Sequence, residues 1–503
     1  MLLLLTLGFS SMVWLLFNTP WGVRVGYDSI FYLDAAANIA NGTGAYWVGS
    51  GGVLKPLTHF PPLYPALLSL PMAFSLDPIA AGRFVAAFLL GLNVFLVGLL
   101  LYRPAKRFTL ALFGMLWIFS SPVILELHFR VMSEPLFFTC MLLTLLFVSE
   151  FLRTRAMSYL LLGAATAACG MLTRYTGSVL IVCCVLAILI LHGGPKKQKF
   201  FETGVFAGVA LLPIGAWALR NYSLASSATN RTFVKHVVDL VEISREILDV
   251  LFAWIVPTLL SHWLETAIIL ATGIVIAMYL FWQSRVQGEE HERDVSLAAL
   301  LFVYPPIYLA QLLISLSFFD ASTPIDDRIL SPIFFTSSLL ILSLLSTIKS
   351  RRGYALFGSG VLVLTLLHPL PSGIGKSQRL VNTYREDGRG FTSRTWQESR
   401  LVEWIRSSDP DSLIVTNEAM PVRFLTNLTT YQIPEQWDPV KDQEREDYQE
   451  QLEVILDVLK SQRSYLVLFD PGSPSNLDDA IWLDDLSLVF ETNEGVIYSS
   501  YAE

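Results

Sequence analysis

Cysteine is scarce in this chain and absent from its last three hundred residues. The four cysteines lie in apolar runs, at Cys140, Cys169, Cys183 and Cys184. This distribution excludes a disulfide framework and a zinc site built on cysteine. No two histidines have the i, i+4 spacing of a zinc-binding helix, and no Asp-x-Asp pattern occurs near the first polar loop. The sequence therefore indicates no specific cofactor, and it does not exclude a bound divalent cation.

Charged residues are also few. They make up 16% of the 503 residues, against 53% hydrophobic residues, and the mean hydropathy is +0.52. Such a composition excludes a soluble protein of this length and predicts a polytopic membrane protein. The net charge of -8 is concentrated at the end: residues 371–503 hold 12 basic and 24 acidic residues. We predict a membrane domain at 1–370 and a water-exposed domain at 371–503, whose acidity argues against nucleic acid as a partner.

Long apolar runs predict eleven membrane spans. We expect them at roughly 1–18, 79–101, 108–124, 134–151, 157–172, 177–192, 200–219, 263–283, 296–318, 329–348 and 353–370. The first run has no basic segment before it and no Ala-x-Ala cleavage site, so we expect an uncleaved span rather than a signal peptide.

Basic residues predict the orientation of these spans. If the N-terminus is cytoplasmic, all five inner loops are basic, as the positive-inside rule requires. They hold Arg103/Lys106/Arg107, Arg153/Arg155, Lys196/Lys197/Lys199, Arg285/Arg293 and Lys349/Arg351/Arg352. We therefore predict an integral protein of a plasma or bacterial inner membrane, with its C-terminal domain on the extracytoplasmic side.

The first outer loop is long and structured. Asp28–Ala40 reads as an amphipathic helix, Gly42–Gly52 as a mobile loop and Pro61–Leu70 as a second surface helix. Charges interleave with apolar residues in Phe233–Leu251, which predicts a helix along the membrane surface. The predicted water-exposed domain at 371–503, which we call the tail, alternates between helical and strand patterns. This alternation favours an α/β domain with a partly parallel sheet. Its helices are expected at Thr395–Ser407, Glu418–Leu425 and Asp442–Ser461, and its strands at Ser412–Thr416, Tyr465–Phe469, Leu486–Glu491 and Val496–Ser499.

Two carboxylates of the first outer loop have alternative interpretations. Asp28 begins the predicted helix, so it is either a general base at the lipid–water boundary or a helix N-cap. Asp34 lies six residues further on and is expected to face solvent or to have a structural role. His59, before Pro61-Pro62, either binds a phosphate or an acceptor or is structural.

Other charged residues lie at the predicted outer ends of spans. Glu134 opens an apolar run near His128 and Arg130, where a carboxylate is costly unless it is paired or faces a water-filled cavity. Arg174 lies between two short apolar runs on the outer side, where a guanidinium suits a phosphate. The alternative, for Arg174 as for Arg83, Arg220 and Arg328, is snorkelling toward lipid phosphates.

Several short motifs together resemble a known superfamily. They are Pro-Pro-Leu-Tyr at 61–64, Ser133-Glu134-Pro135-Leu136, Leu172-Thr173-Arg174-Tyr175 and Leu219-Arg220-Asn221-Tyr222, after the outer Asp28. This order, on one side of the membrane, is similar to that of GT-C glycosyltransferases over residues 1–370. Within them it resembles the branch of protein O-mannosyltransferases and the lipid A aminoarabinose transferase. The aminoarabinose-transferase pattern has a Lys directly before Pro-Pro, which contacts phosphate, whereas this chain has Phe60 there.

The resemblance implies inverting sugar transfer from a polyprenyl-phosphate donor, with Asp28 as the catalytic base and Glu134 lining the same cavity. The partners are then the lipid-linked sugar, membrane lipids and a glycan, lipid or protein acceptor. The candidate residues are Asp28 and Glu134 for catalysis, Arg174, Arg83, Arg328 and His59 for the donor phosphate, and Arg130, Tyr64, Arg220, Asn221 and Asp327 for the acceptor or cavity wall. The alternatives are a transporter or flippase of lipid-linked sugars, and a membrane-anchored sensor or scaffold.

Overall fold

The computed structural model describes most of the chain. The described residues are 1–105, 107–231, 233–236, 238–254, 292–347, 369–409, 411–461, 464–470 and 486–500. By contacts, the chain divides into two compact units of interleaved segments. We call one the helical unit (Met1–Asn18, Thr58–Tyr64 and Val85–Asn382) and the other the mixed unit (Thr19–Leu57, Pro65–Phe84 and Thr383–Glu503). The predicted division at residue 370 stays a prediction.

Helices dominate the described part of the first 350 residues. In chain order they are α1 (Leu2–Phe17), α2 (Tyr27–Ala40), α3 (Leu63–Ala73), α4 (Pro78–Ala105), α5 (Phe108–Ser120), α6 (Pro122–His128), α7 (Glu134–Thr154), α8 (Met157–Thr173), α9 (Ser178–Leu191), α10 (Lys196–Ala225), α11 (Leu240–Ala253), α12 (Glu292–Phe318) and α13 (Ser331–Thr347).

Among the described residues, four helices are long and apolar enough to cross a membrane. They comprise Pro78–Arg103, Glu134–Thr154, Lys196–Ala225 and Leu297–Phe318, and the pair α5 and α6, bent by 66°, makes a fifth if it is one span. The helices α1, α8, α9 and α13 are apolar but shorter. The chain is thus an integral membrane protein, and the count of eleven spans stays a prediction. The predicted spans at 263–283 and 353–370 lie outside the described residues, except for 369 and 370.

Small residues set the closest helix packing in the helical unit. A Cβ atom at Gly91 of α4 would lie 2.6 Å from the carbonyl oxygen of Gly8 in α1, and one at Gly8 would lie 2.7 Å from that of Gly91. Only glycine at both positions allows the two backbones to approach so closely, as is common between helices in membranes.

The mixed unit contains the C-terminal strands. Its elements after α2 are β1 (Tyr46–Val48), β2 (Leu54–Pro56), β3 (Leu413–Thr416), β4 (Thr430–Gln432), β5 (Trp437–Asp438), β6 (Gln443–Glu444), β7 (Ser464–Phe469), β8 (Ser487–Thr492) and β9 (Gly495–Ser499). Its helices after residue 383 are the end of α14 (Pro369–Glu386), α15 (Arg394–Gln397), α16 (Arg400–Ser407), α17 (Ala419–Thr426) and α18 (Tyr448–Ser461).

Five of these strands form one mixed sheet in the order β4-β3-β7-β9-β8. The strand β3 is parallel to both β4 and β7, whereas β9 is antiparallel to β7 and β8. Alternate residues of β3 enter different cores: Ile414 packs with helices α16 and α17, and Val415 packs with α18. Both faces of the sheet are thus covered, and the predicted α/β region with a partly parallel sheet is confirmed.

Part of the segment predicted to be the first outer loop differs from the expectation. Within and beyond Gly42–Gly52, which was expected to be a mobile loop, β1 and β2 form an antiparallel ribbon joined by a short 3₁₀ turn at Ser50–Gly52. The φ of +69° at Gly51 is accessible to glycine at little cost, and it allows the chain to reverse here. The predicted helices at Asp28–Ala40 and Pro61–Leu70 correspond to α2 and α3.

Candidate active site

Asp28 lies in the first turn of α2, and it is not the helix cap. The N-cap is Gly26, whose backbone N–H donates to the Ser29 hydroxyl at 3.0 Å. The N-cap interpretation of Asp28 is therefore wrong. The side chain is half-buried, at a helix end whose dipole favours a negative charge.

Two side chains that flank Asp28 on α2 are held by the tail. The Tyr27 hydroxyl donates to Glu418 Oε2 at 2.5 Å, and Asp34 Oδ2 forms an ion pair with Arg423 Nη2 at 2.5 Å. Asp34 is only 8% exposed, so it has a structural role and does not face solvent. Its burial raises the pKa of its carboxyl, which the charge of Arg423 opposes. Burial also raises the pKa of the Glu418 carboxyl. The pKa of the Tyr27 phenol is raised by burial and by its contact with Glu418.

Glu134 and Arg174 meet inside the helical unit. Glu134 begins α7 and is 1% exposed, and its Oε1 lies 2.5 Å from Arg174 Nη1. Arg174 also donates to the Ser133 hydroxyl at 3.3 Å, and the charge of Arg328 attracts the same carboxylate. Of the two arrangements that would offset the cost of this carboxylate, pairing or a water-filled cavity, the structure shows a buried ion pair. Removing either partner of such a pair costs stability.

A tight turn positions Arg174 between α8 and α9. Arg174 itself is extended, and the next residues form a 3₁₀ turn at Tyr175–Gly177. A Cβ atom at Gly177 would lie 2.7 Å from the backbone of Gly170 in α8. Any side chain at Gly177 would force the two segments apart and move Arg174 away from Glu134.

The loop that carries His59 is fixed by two of the motifs. The Thr58 carbonyl accepts hydrogen bonds from the Tyr175 hydroxyl at 2.9 Å and from Asn221 Nδ2 at 3.3 Å. Asn221 is fully buried, and its Oδ1 accepts from Arg220 Nη1 at 3.0 Å. Asn221 therefore holds the chain just before His59, and its assignment to the acceptor or cavity wall stays a prediction.

The remaining candidates have neighbours of their own. His59 is half-buried against the Phe60 ring, and Tyr64 of α3 is buried. Their assignment to the donor and acceptor stays a prediction. Arg130 pairs with Glu126, which the sequence interpretation did not consider. The guanidinium of Arg220 lies 4.5 Å from the Trp217 ring, and Asp327 accepts from Trp254 Nε1 at 2.8 Å.

Arg83 and Asp28 belong to the mixed unit, whereas the other candidates belong to the helical unit. Arg83 Nε donates to the Thr19 hydroxyl at 3.1 Å. A single site that combines Asp28 with Glu134 and Arg174 stays a prediction. Among the described residues, no three His, Cys, Asp or Glu side chains form a metal-binding group.

Two tyrosines near the ion pair were missed. Tyr304 and Tyr308 of α12 are 2% and 3% exposed, and both lie within the electrostatic reach of Arg174. The Tyr308 hydroxyl donates to the Ile329 carbonyl at 2.6 Å, next to Arg328. The i, i+4 spacing of the two rings on an apolar helix is an ordinary core pattern, so the sequence carries no signal that separates them from packing residues.

Part of the chain matches a protein-family model, and the chain is similar to several solved structures. Residues 59–217 match the family model described as dolichyl-phosphate-mannose-protein mannosyltransferase. This range includes Glu134 and Arg174 and begins after Asp28. No curated protein sequence matches the chain significantly.

The similar structures cover almost the whole chain. ArnT from Cupriavidus metallidurans in the apo state has a TM-score of 0.55 at 12% identity, over 99% of this chain and 97% of that one. ArnT bound to undecaprenyl phosphate has a TM-score of 0.52 at 12% identity, over 99% and 98%. AglB, the oligosaccharyltransferase of Archaeoglobus fulgidus in complex with an inhibitory peptide and a dolichol-phosphate, has a TM-score of 0.52 at 15% identity, over 93% and 69%.

At these identities the structural likeness shows the fold, and the family match supports the same superfamily independently. The chain therefore has the GT-C glycosyltransferase fold, and within it resembles the branch of the protein O-mannosyltransferases and ArnT.

Proposed function

We propose that this chain transfers a sugar from a polyprenyl-phosphate-linked donor to an acceptor at the outer face of the membrane, with inversion at the anomeric carbon. Similar structures that hold undecaprenyl phosphate or a dolichol-phosphate support the donor class. The observation that carries the proposal is the fixed guanidinium of Arg174. It is held against the buried Glu134 in a GT-C fold and lies within the segment that matches the mannosyltransferase model.

The chemistry requires positive charge at the leaving group. As the bond between the anomeric carbon and the phosphate oxygen breaks, negative charge develops on the lipid phosphate. A guanidinium that is already oriented stabilises this charge without reorganisation and in a low dielectric. We assign this role to Arg174, supported by Arg328, whose charge also acts on Glu134.

The attack also requires a base, which takes the proton from the attacking oxygen on the face of the sugar opposite the leaving phosphate. In our proposal the acceptor oxygen attacks the anomeric carbon while Asp28 accepts its proton. The lipid phosphate then leaves with the bonding electrons, and a single displacement inverts the anomeric centre. Glu134 holds Arg174 in place and does not itself take the proton, because its carboxylate is buried in the ion pair.

Reconstitution in liposomes tests this function. With a polyprenyl-phosphate sugar and a panel of glycan, lipid and peptide acceptors, we expect free polyprenyl phosphate in proportion to glycosylated product. We also expect an anomeric configuration opposite to that of the donor, read by NMR. If the lipid-linked sugar only changes leaflet, with no polyprenyl phosphate released, the chain is a flippase and the proposal is wrong.

A further inference from the structure

Two polar contacts join the helix that carries Asp28 to the tail, and the Tyr27 ring also packs against Phe391, with ring centroids 5.1 Å apart. Tyr27, next to Asp28, donates to Glu418 at 2.5 Å, and Asp34, about two helical turns along, pairs with Arg423 at 2.5 Å. Glu418 is the N-cap of α17, and Arg423 lies within it. Two contacts that are spaced along both helices restrict the rotation of α2 about its axis as well as its sliding. Both movements would displace the Asp28 carboxylate.

Helix α17 packs against the mixed sheet and is hydrogen-bonded to it. Its Val422 is buried in the same cluster as Ile414 of β3 and Val467 of β7. The Thr430 hydroxyl of β4 donates to the Ala419 carbonyl at 2.8 Å. The position of α17 is therefore set by the sheet, and α2 takes its position from the sheet through α17.

The second contact is costly, which argues for a specific role. The side chains of Arg423 and Asp34 are only 12% and 9% exposed. Desolvating two charges offsets much of their attraction, so a buried ion pair stabilises a fold little, and its best-attested role is to fix one arrangement. Asp34 Oδ2 also accepts from the Val48 backbone at 3.2 Å, which ties the β1–β2 ribbon to the same carboxylate.

We propose that Arg423 and Glu418 of the tail are positioning residues for Asp28, acting through Asp34 and Tyr27. This inference rests on the proposed function, in which Asp28 is the base. In this proposal the tail has a role in the chemical step. Two of the residues on which turnover depends then lie far beyond residues 59–217, the segment that matches the family model.

The test removes both charges of the buried pair together, so that no unpaired charge destabilises the fold. In the full-length protein in liposomes, we expect Arg423→Met with Asp34→Asn to lower kcat at least about tenfold, because small misplacements of a reacting group are costly. The KM for the polyprenyl-phosphate donor should stay within about twofold, since Arg174 is unchanged. Arg423→Lys, which keeps the charge, should recover most of the lost kcat.

Hydrogen exchange supplies a readout that does not depend on turnover. Backbone amides of α2 should exchange faster in the double variant, while those of β3 and β7 stay as protected as in the wild type. Arg394→Met is the matched control, because Arg394 is an exposed arginine of the same unit that pairs with Glu398 of the loop before α16 and does not contact α17 in the described contacts. It should change neither kcat nor the exchange of α2.

The outcomes separate the two proposals. If Asp28→Asn is inactive but the double variant has wild-type kcat, the positioning role is wrong and the proposed function stands. A double variant with low kcat but unchanged exchange of α2 also contradicts the positioning role. If Asp28→Asn keeps wild-type turnover, the assignment of the base fails, whatever the tail does.

Discussion

At the scale of the residue, Arg174 combines a buried partner with an accessible face. Its side chain is 17% exposed, whereas the side chain of Glu134 is 1% exposed. The buried carboxylate therefore fixes the orientation of a guanidinium that is itself partly exposed. An arginine that only snorkelled to lipid phosphates would not need a buried carboxylate behind it.

The pair can be tested by separating stability from turnover. Arg174→Gln should lose about 3–5 kcal/mol of stability, because Glu134 is left as an unpaired buried charge. Adding Glu134→Gln should restore most of the stability, measured by thermal unfolding in detergent, while turnover stays low because the phosphate has lost its cation. Recovery of turnover in this double variant would show that Arg174 is only structural.

A second residue-scale prediction concerns Glu418. Burial raises the pKa of its carboxyl, so the folded state binds the proton more tightly than the unfolded state. This contribution to stability is complete at low pH, below the unfolded pKa, and is lost as the pH rises through the raised value. The substitution Glu418→Gln removes this pH-dependent contribution to stability. The side-chain oxygen of Gln still accepts the hydrogen bond from the Tyr27 hydroxyl.

Thermal unfolding of wild type and Glu418→Gln over a pH series measures this effect. The melting temperature of the wild type minus that of the variant should fall as the pH rises. A difference that stays constant or grows with pH would contradict the assigned direction.

At the scale of the element, the crossing of α1 and α4 depends on two glycines. The substitution Gly91→Ala places a methyl group 2.6 Å from the backbone oxygen of Gly8, so the helices must move apart. Such overpacking costs about 1–3 kcal/mol. Gly204→Ala in α10 is the matched control, because a Cβ there meets nothing within 4 Å. Alanine should stabilise that helix by up to about 1 kcal/mol.

Melting temperatures of the two variants in the same detergent should therefore move in opposite directions. Equal shifts would show that the close approach of Gly8 and Gly91 does not limit packing.

The elements also show what the sequence can predict. Apolar runs such as those of α7 and α8 are long enough that hydropathy alone locates them, and Arg174 marks the break between α8 and α9. The ribbon β1–β2 was missed because its strands have three residues each, too few for an alternating pattern. The partner of Asp34 is 389 residues away in the chain, so no local pattern indicates it.

At the scale of the whole molecule, the predicted orientation places the tail on the extracytoplasmic side of the membrane. We expect a membrane-impermeant maleimide to label Gln436→Cys, an exposed tail position, in intact cells. It should label Lys197→Cys, exposed in a predicted inner loop, only after permeabilisation. The natural Cys140, Cys183 and Cys184 are buried, and Cys169, which is only half-buried, is replaced by Ser in both variants to keep the background low. The reverse pattern of labelling would place the tail in the cytoplasm and overturn the outer-face reaction.

The central claim is that Asp28 removes the acceptor proton in a sugar transfer. The most direct measurement is the release of polyprenyl phosphate by Asp28→Asn, with donor binding measured in parallel. We predict a loss of about 10²–10⁴-fold in kcat with donor affinity retained, as for removal of a general base. Asp442→Asn, at an exposed carboxylate of the same unit, should behave as wild type. Wild-type turnover by Asp28→Asn would contradict the account.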